Sequence, residues 1–292
     1  MNSLIIYNPI AGRKISASTI KKITEKFALR DIICAAIPTS GPGDATRIAI
    51  NEGGKYDLVI CMGGDGTLNE TMGGLLNLND KPSLAYIPAG TTNDYAQSLG
   101  IPRNIDEAIK LISKGDIKTV DTGLFNHKNF IYSATFGMMT DVAYKTPQNK
   151  KNTFGKLAYI FAAAKHLFKP KANEITVECD DGKIEGNFIF GAITNTKSLG
   201  GFIKYKDSEI DLQDGLFEVL LIKKPLRLRT VHKVIFDLSR KKWSDEYCIR
   251  FKTNKIKFIS KDYIEWCLDG EAGGAYKESI IENIKQNLSI VC

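Results

Sequence analysis

The sequence has only three histidines, scattered at positions 127, 166 and 232. Its six cysteines include no Cys-x-x-Cys pair, so neither residue type has the ligand spacing of a zinc site. The longest uninterrupted apolar run covers residues 157–164, whereas a bilayer-spanning helix needs about 20 predominantly apolar residues. The first residues also lack a basic segment followed by a long apolar one. We therefore expect a cytoplasmic chain with reduced thiols and no transmembrane segment.

Positive charge is in modest excess, with 40 Lys and Arg against 33 Asp and Glu, and it is concentrated in the second half. Residues 145–171 contain seven lysines and no acid, and residues 223–261 contain thirteen basic residues and three acidic ones. Nucleic acid, an anionic lipid surface or an ordinary solvated surface would each explain this bias. The basic residues accompany no nucleic-acid recognition motif, so we expect no nucleic-acid partner.

The first 125 residues alternate short apolar runs with helical patterns, which is typical of βαβ units and a parallel sheet. This alternation predicts strands at residues 4–7, 32–37, 58–62 and 84–87, and a helix that begins after Asn104 and ends at Gly115. After Asp121 the period becomes that of antiparallel strands, as in residues 174–179 and 263–268, with a hairpin turn at 181–182. Two helices are also predicted in this half, at residues 154–168 and 226–243, and both carry basic residues.

The strongest local motif is Gly63-Gly64-Asp65-Gly66-Thr67-Leu68-Asn69-Glu70, which follows an apolar strand and opens a helical stretch. Glycines let the backbone approach a phosphate closely, and the free N–H groups of a helix N-terminus favour an anion. The Walker and dinucleotide-binding patterns are both absent. Phosphate oxygens would repel Asp65, so it requires an intervening cation or a role as proton acceptor. Alternatively, Asp65 simply caps the helix.

Other apolar runs also end in small polar loops with a carboxylate, including those that carry Asp94, Asp121 and Glu271. Because the carboxyl ends of parallel strands meet at one edge of a sheet, we expect Asp65, Asp94 and Asp121 to lie together. A cluster of carboxylates is typical of a magnesium site. The loop at residues 8–14 follows the first strand and is a candidate nucleotide loop, although Asn-Pro is also an ordinary turn.

Four motifs in this order resemble the diacylglycerol kinase catalytic-domain family, and the match is closest to its soluble bacterial members. They are Asn8-Pro9-x-x-Gly12, residues 63–70, Pro88-x-Gly90-Thr91-x-Asn93-Asp94 and Asp269-Gly270-Glu271. The resemblance implies an ATP-binding α/β domain with a doubly wound parallel sheet over residues 1–123, to which about residues 280–292 return. It implies a mainly antiparallel, β-sandwich-like lipid-substrate domain over residues 124–279.

The resemblance also implies roles for individual residues. It implies that Asp65, Asp94 and Asp121 form an aspartate-water-magnesium network and that Glu271 is the general base. A second, structural magnesium would be held by the Asp214 carboxylate and the Asp211 and Leu216 carbonyls, although the Asp-Gly sequence there is equally a plain turn. The residues that would bind ATP are Asn8, Pro9, Ile10, Ala11, Gly12, Thr39, Gly64, Asp65, Gly66, Thr67, Leu68, Asn69, Glu70 and Thr91.

These roles predict an ATP- and Mg²⁺-dependent lipid kinase, with diacylglycerol as the acceptor and phosphatidic acid as the product. Phosphatidylglycerol, a polyprenol or a sphingoid base are alternative acceptors. An NAD kinase shares the Gly-Gly-Asp-Gly element, and a non-catalytic lipid or nucleotide sensor would share the fold. Lysines mixed with aromatics over residues 150–169 are typical of an amphipathic surface helix, which predicts peripheral association with the membrane. A core helix with solvated lysines would show the same pattern. The resemblance also allows a homodimer, for which the sequence itself shows no contact.

Overall fold

The computed structural model describes residues 1–12, 14–91, 93–137, 172–180, 182–199, 203–206, 209–225, 230, 234, 240 and 243–292. It divides the chain into two compact units, residues Met1–Asp121 with Gln286–Cys292, and residues Thr122–Lys285. The helix predicted at 154–168 lies outside the described residues, as do nearly all of the helix at 226–243, Arg13 and one residue of the turn at 181–182. Among the described residues, no helix is both long and apolar enough to cross a membrane.

In the first unit, strands and helices alternate along the chain as the sequence pattern predicts. The elements are β1 (Asn2–Tyr7), α1 (Ala17–Ala28), β2 (Ile33–Pro38), α2 (Asp44–Glu52), β3 (Leu58–Gly63), α3 (Asp65–Leu75), β4 (Ser83–Pro88), α4 (Asp94–Leu99), α5 (Ile105–Lys114) and the start of β5 (Ile117–Phe125). The strand order is β2-β1-β3-β4, and each of these pairs is parallel. The end of β15 (Glu271–Val291) adds a further parallel strand beside β4, where Ile290 pairs with Leu84.

Helices pack on both faces of this parallel sheet. Side chains alternate between the two faces of a strand, and Ile60 and Met62 of β3 belong to the core that contains residues of α1 and α5. Cys61 points the other way, and its thiol donates a hydrogen bond to the hydroxyl of Thr71 on α3, which itself donates to the Thr67 carbonyl. All six residues of β3 are buried, as expected for a central strand covered on both faces. The first unit is therefore an α/β unit, as the sequence predicts.

Helix α5 has the ends that its sequence predicts. Asn104 Oδ1 accepts hydrogen bonds from the backbone N–H groups of Asp106 at 2.9 Å and Glu107 at 3.2 Å. Gly115 follows the helix with a φ of 75°, the left-handed conformation that glycine adopts without a steric penalty. Such an N-cap contributes about 1 kcal/mol to helix stability.

The second unit consists mainly of antiparallel strands. Its elements are the end of β5, β6 (Lys128–Phe130), β7 (Ser133–Gly137), β8 (Asn173–Cys179), β9 (Gly182–Thr194), β10 (Ser198–Leu199), β11 (Ile203–Lys204), β12 (Phe217–Lys223), β13 (Cys248–Thr253), β14 (Lys255–Leu268) and most of β15. The order is β13-β12-β9-β7-β14-β15, followed by β5 and β6, and β8 pairs with both β9 and β14.

This sheet curls onto itself around an aromatic core. Six strand spacings separate β12 from β6, which would place them roughly 29 Å apart in a flat sheet. Yet the rings of Phe217 on β12 and Phe130 on β6 stack with their centroids 5.5 Å apart. Trp266 is fully buried in the same core. The two ends of the sheet therefore face each other as the layers of a sandwich do.

Candidate functional site

Three loops meet at the carboxyl ends of β1, β3 and β4. A Cβ atom added at Gly90 would lie 2.5 Å from the Cα of Gly64, and one added at Gly12 would lie 3.2 Å from the carbonyl oxygen of Ala89. These contacts join backbone to backbone, so a side chain at Gly90 would push the loops apart. The first N–H groups of α3, which directly follow Gly64, are suitable donors to phosphate oxygens.

Asn93 holds the loop after β4 in shape. It adopts a left-handed conformation with a φ of 51°. Its Oδ1 accepts from the Gly90 N–H at 3.0 Å and its Nδ2 donates to the Gly90 carbonyl at 2.9 Å. The buried hydroxyl of Tyr86 lies 3.1 Å from both Asn93 Oδ1 and the Gly63 carbonyl. The loops after β3 and β4 are thereby fixed to each other by hydrogen bonds.

A cavity of about 250 Å³ opens over this junction, and it is lined by Gly12, Pro88, Ala89, Gly90, Thr91, Asn93 and Arg103. Small-molecule pockets usually measure about 300–1,000 Å³, so the cavity is suited to part of a nucleotide. Arg103 also lines a second cavity of about 330 Å³, together with Ala96, Gln97 and Ile101. Sequence reasoning missed Arg103, because it lies in no motif and only the folded chain brings it to the cavity.

Asp65 lies at the start of α3 and faces the first turn of α4. The backbone N–H groups of Asn93, Asp94 and Tyr95 donate to its carboxylate, so the first turn of α4 lies against Asp65. Burial raises the pKa of Asp65, while those N–H groups and the charge of Arg103 act in the opposite direction. Within the part of the chain that the structure describes, its Oδ1 is buried without a hydrogen-bond partner.

Asp121 lies on β5 and is fully buried. Its Oδ1 accepts a hydrogen bond from the Gln286 backbone N–H at 2.7 Å, which joins β5 to the last segment of the chain. No three His, Cys, Asp or Glu side chains among the described residues are grouped so that they could hold a metal ion. The unpartnered Asp65 Oδ1 nevertheless fits a cation, and Mg²⁺ usually takes most of its ligands from water and phosphate.

The loop after β1 is braced by Asn8. Its backbone N–H donates to the Met62 carbonyl at 3.0 Å, and its Nδ2 lies 3.4 Å from Thr67 Oγ1. Its Oδ1 accepts from the Ile10 N–H at 3.1 Å, while the side chain of Ile10 is 73% exposed. The asparagine of the first motif thus links the loop to β3 and to α3.

The start of α2 lies beside Thr39, whose N–H donates to the Tyr7 carbonyl at 2.8 Å. Asp44 Oδ2 accepts from the Ser40 N–H at 2.8 Å, and its Oδ1 accepts from Arg47 Nε at 2.9 Å. The Ser40 backbone bond, and then the bond from Arg47, lower the pKa of Asp44. Asp44 therefore fixes the turn that follows Thr39.

Two motif side chains have structural contacts in the first unit. Glu70 accepts from the backbone N–H groups of Gly43 at 2.9 Å and Ala45 at 3.2 Å, so it caps α2. Leu68 is 2% exposed and packs in the core. A nucleotide at the N-terminus of α3 would therefore meet backbone groups rather than these two side chains. Gly66 and Thr91 are exposed, whereas Thr67 is buried.

Glu271 belongs to the second unit, where it follows the tight turn between β14 and β15. Asp269 and Gly270 form this turn with φ angles of 49° and 88°, and Leu268 pairs with Glu271, as in the type I′ hairpins that Asp-Gly favours. Asp269 Oδ2 accepts from the Ile131 N–H at 2.6 Å, and Oδ1 accepts from the next two backbone N–H groups at 2.9 Å. Asp269 therefore anchors the hairpin that presents the exposed Glu271.

In the loop predicted to hold a second metal, both aspartate carboxylates accept hydrogen bonds from backbone N–H groups. Asp211 Oδ1 accepts from the Gln213 N–H at 3.0 Å, and Asp214 Oδ1 accepts from the Leu216 N–H at 2.9 Å. The other oxygen of Asp214 lies 3.1 Å from Lys252 Nζ. The side chains of this loop do not fit a magnesium site, because an ammonium group already lies against the one predicted carboxylate ligand.

Comparison with known proteins agrees with the motifs. The family model described as the diacylglycerol kinase catalytic domain matches residues 2–125. A diacylglycerol kinase of Bacillus subtilis is 32% identical over 289 residues, which cover 98% of this chain and 95% of the relative. A diacylglycerol kinase of Staphylococcus saprophyticus is also 32% identical, over 98% of this chain and 93% of its own.

A solved structure extends this likeness to the fold. The crystal structure of a diacylglycerol kinase from Bacillus anthracis aligns with a TM-score of 0.78 at 25% identity, over 99% of this chain and 96% of that chain. The relatives match both units, so the likeness is not confined to the glycine loops. The chain therefore belongs to the diacylglycerol kinase family of lipid kinases, as its four ordered motifs predict.

Proposed function

We propose that the protein transfers the γ-phosphate of ATP to the free hydroxyl of diacylglycerol and releases phosphatidic acid. The observation that carries this proposal is the junction of three glycine loops at the N-terminus of α3, where an oxygen of Asp65 has no hydrogen-bond partner among the described residues. Phosphoryl transfer requires mainly the positioning of the phosphates and the neutralisation of their charge. The acceptor follows from the printed names of the relatives, which are diacylglycerol kinases.

The nucleotide binds over the loops that end β1, β3 and β4. The first N–H groups of α3 donate to phosphate oxygens, and Arg103 supplies a fixed positive charge at the cavity wall. Asp65 would hold a bound Mg²⁺, with Asp94 and Asp121 acting through water, and the ion would neutralise phosphate charge. Asp65 is suited to this role because α4 orients its carboxylate, while its buried Oδ1 has no hydrogen-bond partner among the described residues.

Glu271 accepts the proton of the lipid hydroxyl that attacks the γ-phosphate. A general base must lie on a well-fixed element and be accessible to the substrate. The Asp269-Gly270 turn and the three hydrogen bonds to Asp269 fix the hairpin, and Glu271 itself is exposed. The role of Glu271 stays a prediction until the variant below is measured.

The test uses the purified chain, γ-labelled ATP and separate vesicles that contain diacylglycerol, phosphatidylglycerol, a polyprenol or a sphingoid base. We expect label in phosphatidic acid and none after chelation of Mg²⁺. Label only in another lipid would replace diacylglycerol as the acceptor, and label in none of them would reject the lipid kinase. NAD as a further acceptor tests the rival nucleotide kinase.

Glu271→Gln should abolish transfer while ATP binding is retained. The matched control is Glu278→Gln on the same strand, where Glu278 pairs with Lys257 at 2.9 Å on the surface. Equal transfer by both variants would remove Glu271 from the mechanism. Peripheral membrane association and a homodimer stay predictions, for which vesicle flotation and analytical ultracentrifugation are the direct measurements.

A further inference from the structure

The loop Asp211–Leu216 immediately precedes β12 and carries the carboxylate that the family resemblance gives to a structural magnesium. Its two aspartates form short-range turns, with Asp211 bonded to the Gln213 N–H and Asp214 to the Leu216 N–H. Gly215 between them has a φ of 82°. The conformation of this loop is therefore held by hydrogen bonds between its own aspartate side chains and its own backbone.

A positive side chain lies where the loop meets β12 and β13. Glu218 on β12 pairs in register with Lys252 on β13. Lys252 Nζ lies 3.0 Å from Glu218 Oε1 and 3.1 Å from Asp214 Oδ2. Glu218 is only 5% exposed, and a buried carboxylate is stable only beside a compensating charge. The ammonium group of Lys252 thus forms ion pairs with two carboxylates, that of Glu218 on the strand and that of Asp214 in the loop.

A second lysine lies against the same loop. A Cβ added at Gly215 would lie 3.0 Å from Cδ of Lys285, so the alkyl chain of Lys285 packs on the turn. An Mg²⁺ ion bound to Asp214 at about 2.1 Å would share that carboxylate with Lys252 and be repelled by its charge. The ammonium group of Lys252 therefore already occupies the position beside Asp214 Oδ2 at which a metal ion would bind.

We infer that Lys252 is the resident cation of this loop and that its ammonium group replaces a structural metal ion. Lys252 ties Asp214 to Glu218, and so it holds the loop against β12 and β13 without magnesium. This inference concerns the second unit alone and does not depend on the proposed reaction. It predicts that the stability of the loop follows the charge at position 252 and not the magnesium concentration.

The first experiment measures magnesium at Asp214 in the intact chain without nucleotide. Wild type and Asp214→Asn are titrated with MgCl₂ by calorimetry and are unfolded thermally with EDTA or with millimolar magnesium. We expect the same magnesium isotherm and the same EDTA shift for both proteins. A magnesium-binding event, or an EDTA-induced loss of stability, that is present in wild type and absent in Asp214→Asn would overturn the inference.

The second experiment removes the ammonium group. Lys252→Met should lower the midpoint of thermal unfolding by several degrees, because Glu218 is left buried without its counter-charge. The control is Lys257→Met, which removes a lysine from the exposed pair with Glu278 and should leave the midpoint unchanged. Equal midpoints for the two variants would refute the role of Lys252. If Lys252→Met does not fold, the magnesium comparison of wild type with Asp214→Asn still decides.

Discussion

Replacing Gly90 by alanine tests whether the contact between glycine loops builds the site. The new Cβ would lie 2.5 Å from Gly64 Cα and 2.8 Å from Asn93 Oδ1, whereas carbon atoms normally approach to about 3.5–4.0 Å. The loops must therefore separate by about 1 Å. That shift would weaken the hydrogen bonds from Ala89 N at 2.7 Å and Gly90 N at 3.1 Å to the Gly63 carbonyl.

Overpacking costs about 1–3 kcal/mol and a broken buried hydrogen bond costs about as much, so we expect Gly90→Ala to lose about 2–4 kcal/mol of unfolding free energy. The KM for ATP should rise in parallel, because the same loops line the cavity. The control is Gly73→Ala in α3, where no atom of the described residues lies within 4 Å of the added Cβ and alanine stabilises a helix by about 0.5–1 kcal/mol. Urea unfolding and kinase assays measure both quantities. A Gly90→Ala protein within about 0.5 kcal/mol of wild type and with an unchanged KM would refute the reasoning.

Three further changes test separate parts of the first unit. Arg103→Gln should raise the KM for ATP about 10- to 150-fold, because a charge-assisted hydrogen bond to phosphate is worth about 1.5–3 kcal/mol. The exposed Arg30→Gln is the control, and equal KM values would contradict the role. Asp44→Asn should destabilise the protein near neutral pH, since the ionised Asp44 stabilises the fold above its unfolded-state pKa near 3.8. That contribution is lost as the pH falls through the lower folded-state pKa, so a difference in urea unfolding that persists in acid would contradict it. Gly66→Ala should raise stability by about 0.5–1 kcal/mol yet weaken ATP binding, and unchanged ATP affinity would count against a phosphate at this position.

The fold of the first unit could be predicted because its signals are local. The strand expected at residues 58–62 is observed as Leu58–Gly63, and the one expected at 84–87 as Ser83–Pro88. The ends of α5 follow from a capping side chain and a glycine that act within one turn. A hydrophobic period and a cap depend on near neighbours in the sequence, which the sequence itself displays.

Contacts between distant residues could not be predicted in the same way. Glu70 looks like part of a phosphate motif, but it caps a helix that begins 26 residues earlier in the chain. Asp269 is bonded to backbone groups more than 130 residues away, and Lys252 reaches Asp214 across 38 residues. No propensity or spacing rule encodes such partners. A motif therefore indicates where a loop lies in the fold, but it does not identify the hydrogen-bond partner of each of its side chains.

The glycines of residues 63–66 illustrate why the same residue type must be explained position by position. A Cβ at Gly63 would lie 2.6 Å from Thr67 Cβ, and one at Gly64 would lie 3.3 Å from Gly90 Cα, so internal packing accounts for both. At Gly66 no atom of the described chain lies within 4 Å of the added Cβ, although glycine weakens a helix by about 0.5–1 kcal/mol relative to alanine. The fold does not require glycine at this exposed position in the first turn of α3. Gly73 in the same helix is equally unhindered, so open space alone does not indicate a ligand. Gly66 differs in lying beside the free N–H groups of the helix N-terminus, which is why its replacement by alanine tests for the phosphates of the proposed nucleotide.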